Sequence, residues 1–554
     1  MSLYSNLKGS SINVYSTLAN MPLSGIADDT LAKVTDTDKL YRWTGTGWYY
    51  LDPVNNNPTI TTGGDAIYTL AADGTATVVT LEANDPEGFA IIWDYSVTVG
   101  SLGSTATVSQ NNNVFTITPS TVEANAGGFT LTFTASDGVN LSTSASEFSL
   151  VFGPDWTTGA QEAKILASDA AAGDTFGASV SISSDGNTAI VGADSEDTGG
   201  SKAGAAYIFT RSGTTWSQEA KLMASDAAAG DDFGDAVSIS GDGNTVIVAA
   251  DGEDTGGSGA GSAYIFTRSG TTWSQEAKIQ ASDAEAGDNF GASVSISSNG
   301  NAVIVGATHE DTVGSNAGSA YLFTRSGTTW SQEAKVQASD AAAGDTFGVS
   351  VSISSDGNTA IASTTMQDTA SFNAGAAYIF TKSGTTWSQE AKIMASDAED
   401  SDYFGGSVSI SSNGNAVIVG ADGEDTGGSG AGSAYIFTRS GTTWSQEAKL
   451  QSSDIAAGDN FGASVSISSN GNTVIVGAIR EDTVATDAGA AYLFTRSGTT
   501  WTQEAKIQAS DAALEDRFGN AVSISGDGNT AIAAAYTEDT GGSSAGAAYI
   551  FAAG

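Results

Sequence analysis

Gln161-Glu162-Ala163-Lys164 returns as the same four residues at Gln218, Gln275, Gln332, Gln389, Gln446 and Gln503, each step 57 residues long. The register never slips. Self-similarity at a fixed period of this size marks a propeller or a solenoid, and ring closure is what fixes a natural number of copies. Within one copy, Phe176 to Ser183 alternates small and polar residues with Val180 and Ile182 and predicts a first strand. Ser184-Asp185-Gly186-Asn187 then supplies turn residues that accept positive φ. Thr188 to Ala193 reads as strand two, a long acidic Gly-rich loop follows, and Ala205 to Thr210 reads as strand three. After the turn Arg211-Ser212-Gly213-Thr214, strand four runs from Trp216 to Leu222. Alternation puts Trp216, Gln218, Ala220 and Leu222 on one face and Glu219 with Lys221 on the other. That charged pair suits an exposed outer edge, where charge discourages pairing with another chain.

The ends of the array predict a closed ring, because a solenoid needs polar caps whereas a ring needs complementary termini. The last copy stops at Phe551-Ala552-Ala553-Gly554, after its third strand, while residues 161–167 are a fourth strand with no blade of their own. The expectation is a seven-bladed β-propeller over residues 154–554, closed by strand 161–167 pairing into the last blade. All six prolines (Pro22, Pro53, Pro58, Pro86, Pro119 and Pro154) lie ahead of the array, as expected if Pro is kept out of paired strands, and Pro154 marks the boundary.

With 554 residues the chain is too long for one hydrophobic core, and its 68 glycines with no long helical Leu/Glu/Lys pattern favour an all-β protein. A formal charge of −43 repels phosphate backbones and anionic lipid, so neither nucleic acid nor membrane is an expected partner. The absence of cysteine removes disulfides and thiolate metal sites. Met1 to Pro22 has neither a basic start nor an unbroken apolar stretch, and is read as neither a signal peptide nor an anchor.

The segments Gly-Asp-Xaa-Phe-Gly, Asp-Gly-Asn-Thr-Ala-Ile-Val-Gly-Ala, Gly-Ala-Ala-Tyr-Ile-Phe and Thr-Thr-Trp-Ser-Gln-Glu-Ala-Lys, with substitutions from copy to copy, mark the repeat across residues 161 to 554. This repeat resembles the FG-GAP repeats of bacterial surface proteins, whose Phe-Gly signature integrin α-subunit propellers share. The resemblance implies a propeller without a single family activity. Integrin-type blades hold calcium in an Asp-x-Asp-x-Asp-Gly loop between strands one and two, whereas here that turn is only Ser-Asp-Gly-Asn or Ser-Asn-Gly-Asn, with Gly at the first position in two copies.

Residues 58–153 read as one β-sandwich, with strands at Ala76 to Leu81, Ile91 to Val97, Val114 to Thr118, Phe129 to Ala135 and Glu147 to Phe152. Its Asp85-Pro86-Glu87-Gly88 and Ala135-Ser136-Asp137-Gly138 segments look like those of cadherin-like and bacterial Ig-like domains. Residues 1–57 contain Ala27-Asp28-Asp29-Thr30-Leu31-Ala32-Lys33-Val34 and Lys39-Leu40-Tyr41-Arg42-Trp43-Thr44-Gly45-Thr46-Gly47-Trp48-Tyr49. This resembles a short hairpin module near the start of marine cyanophage structural and fibre proteins, which is followed there by an Ig-like domain and a variable C-terminal module. The resemblance implies a small N-terminal β module for virion attachment or oligomerisation.

His309 is the only histidine, and neither a Gly-x-Ser-x-Gly nor a phosphate-binding glycine loop occurs, so no enzyme is expected. Asp174, Asp231, Asp288, Asp345, Asp402, Asp459 and Asp516 share one repeat position, and sevenfold recurrence argues for structure. Function is expected where copies differ. Between strands two and three the copies read Asp194-Ser195, Asp251-Gly252, Thr308-His309, Thr365-Met366, Asp422-Gly423, Ile479-Arg480 and Tyr536-Thr537. In a propeller the two–three and four–one loops emerge on one face, so Thr308, His309, Thr365, Met366, Ile479, Arg480, Tyr536 and Thr537 form the candidate binding ring. The alternative reading is that these are unconstrained surface positions. The same face gathers Asp174, Asp194, Glu196, Asp197, Asp251, Glu253 and Asp254, carboxylates that would suit calcium or serve solubility alone. No cofactor is required.

The functional expectation is a phage virion structural protein, a tail or head fibre or decoration protein, whose propeller touches a glycan or protein of the host surface. Its partners would be other virion proteins, through residues 1–57, and further copies of itself as a homo-oligomer. A bacterial extracellular adhesin and a polysaccharide-degrading enzyme are the alternatives.

Overall fold

The computed structural model describes residues 154–554 throughout and, ahead of them, residues 13–15, 31–34, 39–43, 48–51, 56–70, 74–86, 88, 90–120, 127–138 and 140–150. The expected motif residues Ala27 to Thr30, Glu87 and the end of the last expected strand, 151–152, lie outside the described residues. The chain divides into two compact units, Met1–Phe152 and Gly153–Gly554. Among the described residues every element is a strand, and no helix is long and apolar enough to cross a membrane.

In the first unit, Leu31–Val34, Lys39–Trp43 and Trp48–Leu51 pair antiparallel in sequence order, with Asn13–Tyr15 parallel on Leu31–Val34. A four-stranded sheet, ordered Ile67–Leu70, Leu141–Leu150, Gly127–Ser136, Ile92–Gly100, and a three-stranded sheet, Ala106–Asn111, Val114–Pro119, Thr77–Thr80, enclose an aromatic core. Phe115, Phe129, Phe133 and Phe148 are buried in it with Val79, Leu81, Ile117 and Leu131. The alternation along Gly127–Ser136 is what builds this core: Phe129, Leu131, Phe133 and Ala135 are buried while the threonines between them are half-exposed.

The second unit is a ring of seven four-stranded antiparallel sheets. Blade one runs outward through Val180–Ile182, Thr188–Ala193, Ala205–Ser212 and Thr215–Leu222. Blades two to six repeat it, and blade seven combines Val522–Ile524, Thr530–Ala535 and Ala547–Ala552 with Ala160–Ile165 as its outer strand. That last pairing joins the two ends of the unit, with Ala160 opposite Ala552 and Ile165 opposite Ala548.

Closure repeats identically around the axis. The Ile239 N–H donates to Ser181 Oγ of the preceding blade, and the same bond links every junction through to Ile182 and Ser523, each 3.2 Å. At the narrow end, Ser184, Gly241, Ser298, Ser355, Ser412, Ser469 and Gly526 line an axial cavity of about 140 Å³. A Cβ at Gly526 would lie 2.8 Å from Ser184 Cβ, and one at Gly241 would lie 2.8 Å from Ser298 Cβ, so these two positions must give up the serine side chain.

The apolar cores lie between blades. Phe176, Tyr207 and Phe209 of blade one pack with Ile532, Ala534, Ala548 and Ile550 of blade seven. Phe176 is fully buried and meets Tyr207 and Phe209 edge-on at 5.5 and 5.9 Å. Gly177 follows at φ +101, where a Cβ would come within 2.9 Å of Ala534 Cβ, so the blades close here only around a glycine. The Phe-Gly pair is thus one core anchor and one close approach.

Two strand expectations change. The first strand covers only three residues in five blades; in blade one it is Val180–Ile182, preceded by the Phe176 N–H bonded to Ala545 O of the preceding blade and the Gly177 N–H bonded to Gly192 O. In blades three and six it extends over Phe290–Ile296 and Phe461–Ile467. Glu219 and Lys221 are not free edge charges. A bulge opposes Phe209 to Gln218 and Ile208 to Ala220, and the extra residue Glu219 turns into the next blade, where it pairs Arg268 and accepts the Trp273 indole N–H at 2.8 Å.

This clasp of outer-strand carboxylate, cation and indole spans six junctions, from Glu162 with Arg211 and Trp216 to Glu447 with Arg496 and Trp501. Blade four uses Lys382 on Glu333 at 2.8 Å. At the junction of blades six and seven, Ala553 and Gly159 stand where the cation and the indole would be. Trp156 replaces them: it is 1% exposed, packs on Ile475, Leu493 and Ile507, and donates its indole N–H to Gly528 O at 3.1 Å. Trp156→Ala is expected to cost about 3–5 kcal/mol, read as a shift of the denaturant midpoint for the whole ring; a midpoint matching wild type would mean that this junction does not limit stability.

Candidate functional site

Each two–three loop lies against the four–one loop leading into the next blade. All seven phenylalanine N–H groups, Phe176, Phe233, Phe290, Phe347, Phe404, Phe461 and Phe518, donate to an alanine carbonyl of the preceding blade's two–three loop at 2.9–3.1 Å. Both loop sets therefore share one face, and the variable positions are held there by a constant frame.

The frame uses most of the carboxylates. Asp174 is 6% exposed, and its Oδ2 accepts the Ala171 N–H at 2.7 Å. The equivalent bond occurs in every copy, through Asp516 and Ala513. Lys221 bridges Asp169 and Glu196 and lies 5.5 Å from the centre of the Tyr207 ring, whose hydroxyl also donates to Asp169. Glu196 and Glu253 accept from Thr198 and Thr255 two residues on, and Asp197 and Asp254 accept the N–H groups of Lys202 and Gly259 across their loop. Burial alone would raise the Glu253 carboxyl, but Lys278, Ser262 and Thr255 hold it at about 2. Of the carboxylates suggested for calcium, Asp174, Glu196, Asp197, Glu253 and Asp254 are thus spent on turns and ion pairs. Among the described residues no group of three or more His, Asp or Glu side chains is arranged to hold a metal ion.

The variable pairs differ in reach. Met366 (39% exposed) and Arg480 are exposed, and His309, Thr365, Ile479, Tyr536 and Thr537 are half-buried. Thr308 is only 8% exposed, with its hydroxyl 3.2 Å from His309 Nδ1, so it supports its neighbour and offers little surface of its own. Met366 also lines a hollow of about 450 Å³ in blade four with Ala342, Gly344, Gln367, Asp368 and Asn373.

A second variable set joins them from the four–one loops. Thr175, Asp232, Asn289, Thr346, Tyr403, Asn460 and Arg517 occupy one repeat position, all with φ between 54° and 58°. Three residues further on, the copies read Ala178, Asp235, Ala292, Val349, Gly406, Ala463 and Asn520. The first set touches the pairs directly: Thr175 bonds Asp194, the Asn289 amide reaches Asp251 at 3.4 Å, and Arg517 Nη1 donates to the Tyr536 hydroxyl at 2.6 Å. The signal for these residues was in the sequence, as a column that varies immediately after the constant Asp174 position.

The FG-GAP repeat signature matches residues 160–209, 216–266, 273–323, 330–380, 387–437, 444–494 and 501–551. The chain belongs to the FG-GAP repeat family. Similar solved structures include the RRP9 WD40 repeats (9% identity, TM-score 0.42, covering 72% of this chain and 98% of that one). They also include the Dos1 propeller (11% identity, TM-score 0.41, 73% and 96%). A quinonprotein alcohol dehydrogenase-like protein from Bacteroides thetaiotaomicron is a third (11% identity, TM-score 0.32, 82% and 97%). Likeness of this depth carries no function across. No curated protein matches the chain in sequence.

On the FG-GAP ring the variable positions are electrically lopsided. Blades one and two bring together Asp194, Asp232, Asp235 and Asp251. Burial, reinforced by Asp251 and Asp194, lifts Asp232 to about 6 and Asp235 to about 7. A carboxyl raised in the folded state is harmless below its unfolded value near 3.8 and destabilises progressively as pH rises through the folded value. Asp235→Asn is therefore expected to raise the melting temperature at pH 8 and leave it unchanged at pH 3.8; an equal effect at both would exclude charge as the cause.

A further FG-GAP position shows an unmet bond. Glu253 Oε2 accepts the Ser262 hydroxyl at 2.7 Å, as Glu310 and Glu424 do from Ser319 and Ser433, whereas blade one has Ala205 and leaves Glu196 Oε2 buried without a donor. Ala205→Ser should stabilise by about 1 kcal/mol in a denaturant titration, and a destabilised variant would show that the extra oxygen does not fit.

Proposed function

We propose that the chain is a virion structural protein, a tail or head fibre or decoration protein, that recognises a host surface with the two–three and four–one loop face of its propeller. The observation that carries this reading is the column from Thr175 to Arg517. A non-glycine residue in the left-handed region costs roughly 1–2 kcal/mol, and glycine would sit there freely, yet all seven copies keep a side chain, of five different types. Side chains retained against that cost, diverse among copies and gathered at one mouth, fit a surface selected for contact rather than for packing. The constant frame beneath explains how divergence is tolerated: no variable side chain belongs to an interblade core.

The placement on a virion is supported by the likeness of the first 150 residues to cyanophage structural proteins. The short sheet of Leu31–Val34, Lys39–Trp43 and Trp48–Leu51 suits the attachment module, and the two sheets around Phe115 and Phe133 suit an Ig-like spacer. We read the protein as a binder rather than an enzyme, needing no cofactor and working as a homo-oligomer. A bacterial adhesin would use the same face, and mass spectrometry of purified particles separates the two.

Replacing Thr308-His309, Ile479-Arg480 and Tyr536-Thr537 with the Asp-Gly of blades two and five should lower adsorption to host cells at least about tenfold while the melting temperature holds. Undiminished adsorption of the folded variant would remove this face from recognition.

A further inference from the structure

We propose that the loop junction of blades five and six, where Tyr403, Asp422, Asn460 and Arg480 meet, binds the vicinal diol of a neutral hexose in a surface glycan. The inference rests on the recognition reading above and names its ligand chemistry.

Short contacts hold these four residues together. The Asn460 amide of blade six donates to Asp422 O of blade five at 3.2 Å, and the Arg480 N–H donates to Asp459 O, the neighbour of Asn460, at 3.2 Å. Burial pushes the Asp422 carboxyl up, and its own backbone N–H and the nearby Arg480 charge oppose that push. On the blade-five side, a Cβ on Gly423 would lie 2.8 Å from Tyr403 Cδ2, so the tyrosine ring rests against the residue that follows Asp422. Gly406 borders the same carboxylate, since a Cβ there would lie 3.8 Å from Asp422 Oδ1. Other blades place Ala, Asp, Val or Asn at that position, so the glycine leaves this oxygen open.

The folding frame does not use these groups. Sixteen Lys and Arg residues lie within 154–554, and thirteen of them are tied into the clasp or the Lys bridge of their blade. Arg480 is not among them, and it is exposed. Among the described residues no side chain donates to the Asp422 carboxylate, and Asn460 reaches only its backbone oxygen. The combination recurs at one other junction. Asp251 and Asn289, bonded at 3.4 Å, hold the same positions between blades two and three, with His309 at Arg480's position and its N–H on Asp288 O at 3.2 Å. None of the other five junctions joins Asp, Asn and a basic residue at these positions. The aromatic ring belongs to five–six alone, because blade two has Asp232 where blade five has Tyr403.

A carboxylate that accepts beside a guanidinium that donates, without an ion pair between them, suits a ligand that does both. Each hydroxyl of a sugar donates and accepts, so two adjacent hydroxyls can bridge the pair through hydrogen bonds of the stronger, charge-assisted class. An anionic group would meet Asp422 and the acidic face, and an ammonium group would meet Arg480. A neutral sugar meets neither repulsion, and the Tyr403 ring offers an apolar surface to its C–H side.

The test is saturation-transfer NMR and titration calorimetry of the full chain with neutral mannan, maltodextrin and galactan oligosaccharides. Their per-O-methylated forms serve as controls lacking the diol, and oligogalacturonate is the acidic arm. At least one neutral oligosaccharide should bind and its methylated form should not. Asp422→Asn, Arg480→Gln and Gly406→Val should each weaken binding at least about tenfold without loss of melting temperature. Arg480→Gln is an exposed change and Gly406→Val copies blade four, so both keep the test readable if Asp422→Asn disturbs folding. No binding of any neutral oligosaccharide, equal binding of a methylated form, tighter binding of oligogalacturonate, or indifference of a folded variant to any of the three changes would overturn the assignment. Indifference together with lost adsorption of the three-loop variant would sink this site while leaving the recognition face in place. Sugar binding that depends on these residues, with adsorption of the three-loop variant intact, would keep the site and remove its part in host recognition.

Discussion

The ring stands on the pairing of Ala160–Ile165 with Ala547–Ala552. Every apolar core in this unit lies between two blades, so an open array would expose a half-core at each end, with Phe176 facing water on one side and Ile532 and Ile550 on the other. Joining the ends removes both losses at once and gives each of the seven junctions the same serine-to-isoleucine bond. Identical junctions are also what make one face: each two–three loop finds a four–one loop beside it because the next blade is always in the same place.

Much of this was legible before any coordinates. The 57-residue step of Gln-Glu-Ala-Lys carried the blade count, and the fourth strand at 161 carried the closure. What the sequence concealed was the destination of charge. Period-two alternation sends Glu219 outward, and only the bulge opposite Ile208 and Phe209 turns it onto Arg268. Bulges leave no mark in a single repeat, but a cation and a Trp at 49 and 54 residues after six of the seven glutamates were a trace of the clasp. The missing partners after Glu504 were equally readable, as Ala553 and Gly159.

The candidate face was half legible. Variation at the Thr308-His309, Ile479-Arg480 and Tyr536-Thr537 positions singled out the two–three loops, yet the column from Thr175 to Arg517 looks from sequence like an ordinary turn. Its left-handed backbone is what gives the variation weight. The sevenfold recurrence of Asp174 argued for a structural role, and Asp174 and Glu196 sit in turns and lysine bridges that recur because each blade must solve the same problem.

The junction without a clasp has a mechanical meaning. Tension carried along the backbone from residues preceding 154 enters the ring through one six-residue strand, which leads directly away from Trp156. Six of the seven seams are riveted by charge, and the seventh is held by an indole lodged between two sheets. A tether pulled at that point would load the Trp156 plug before the strand pairing of Ala160–Ile165 with Ala547–Ala552.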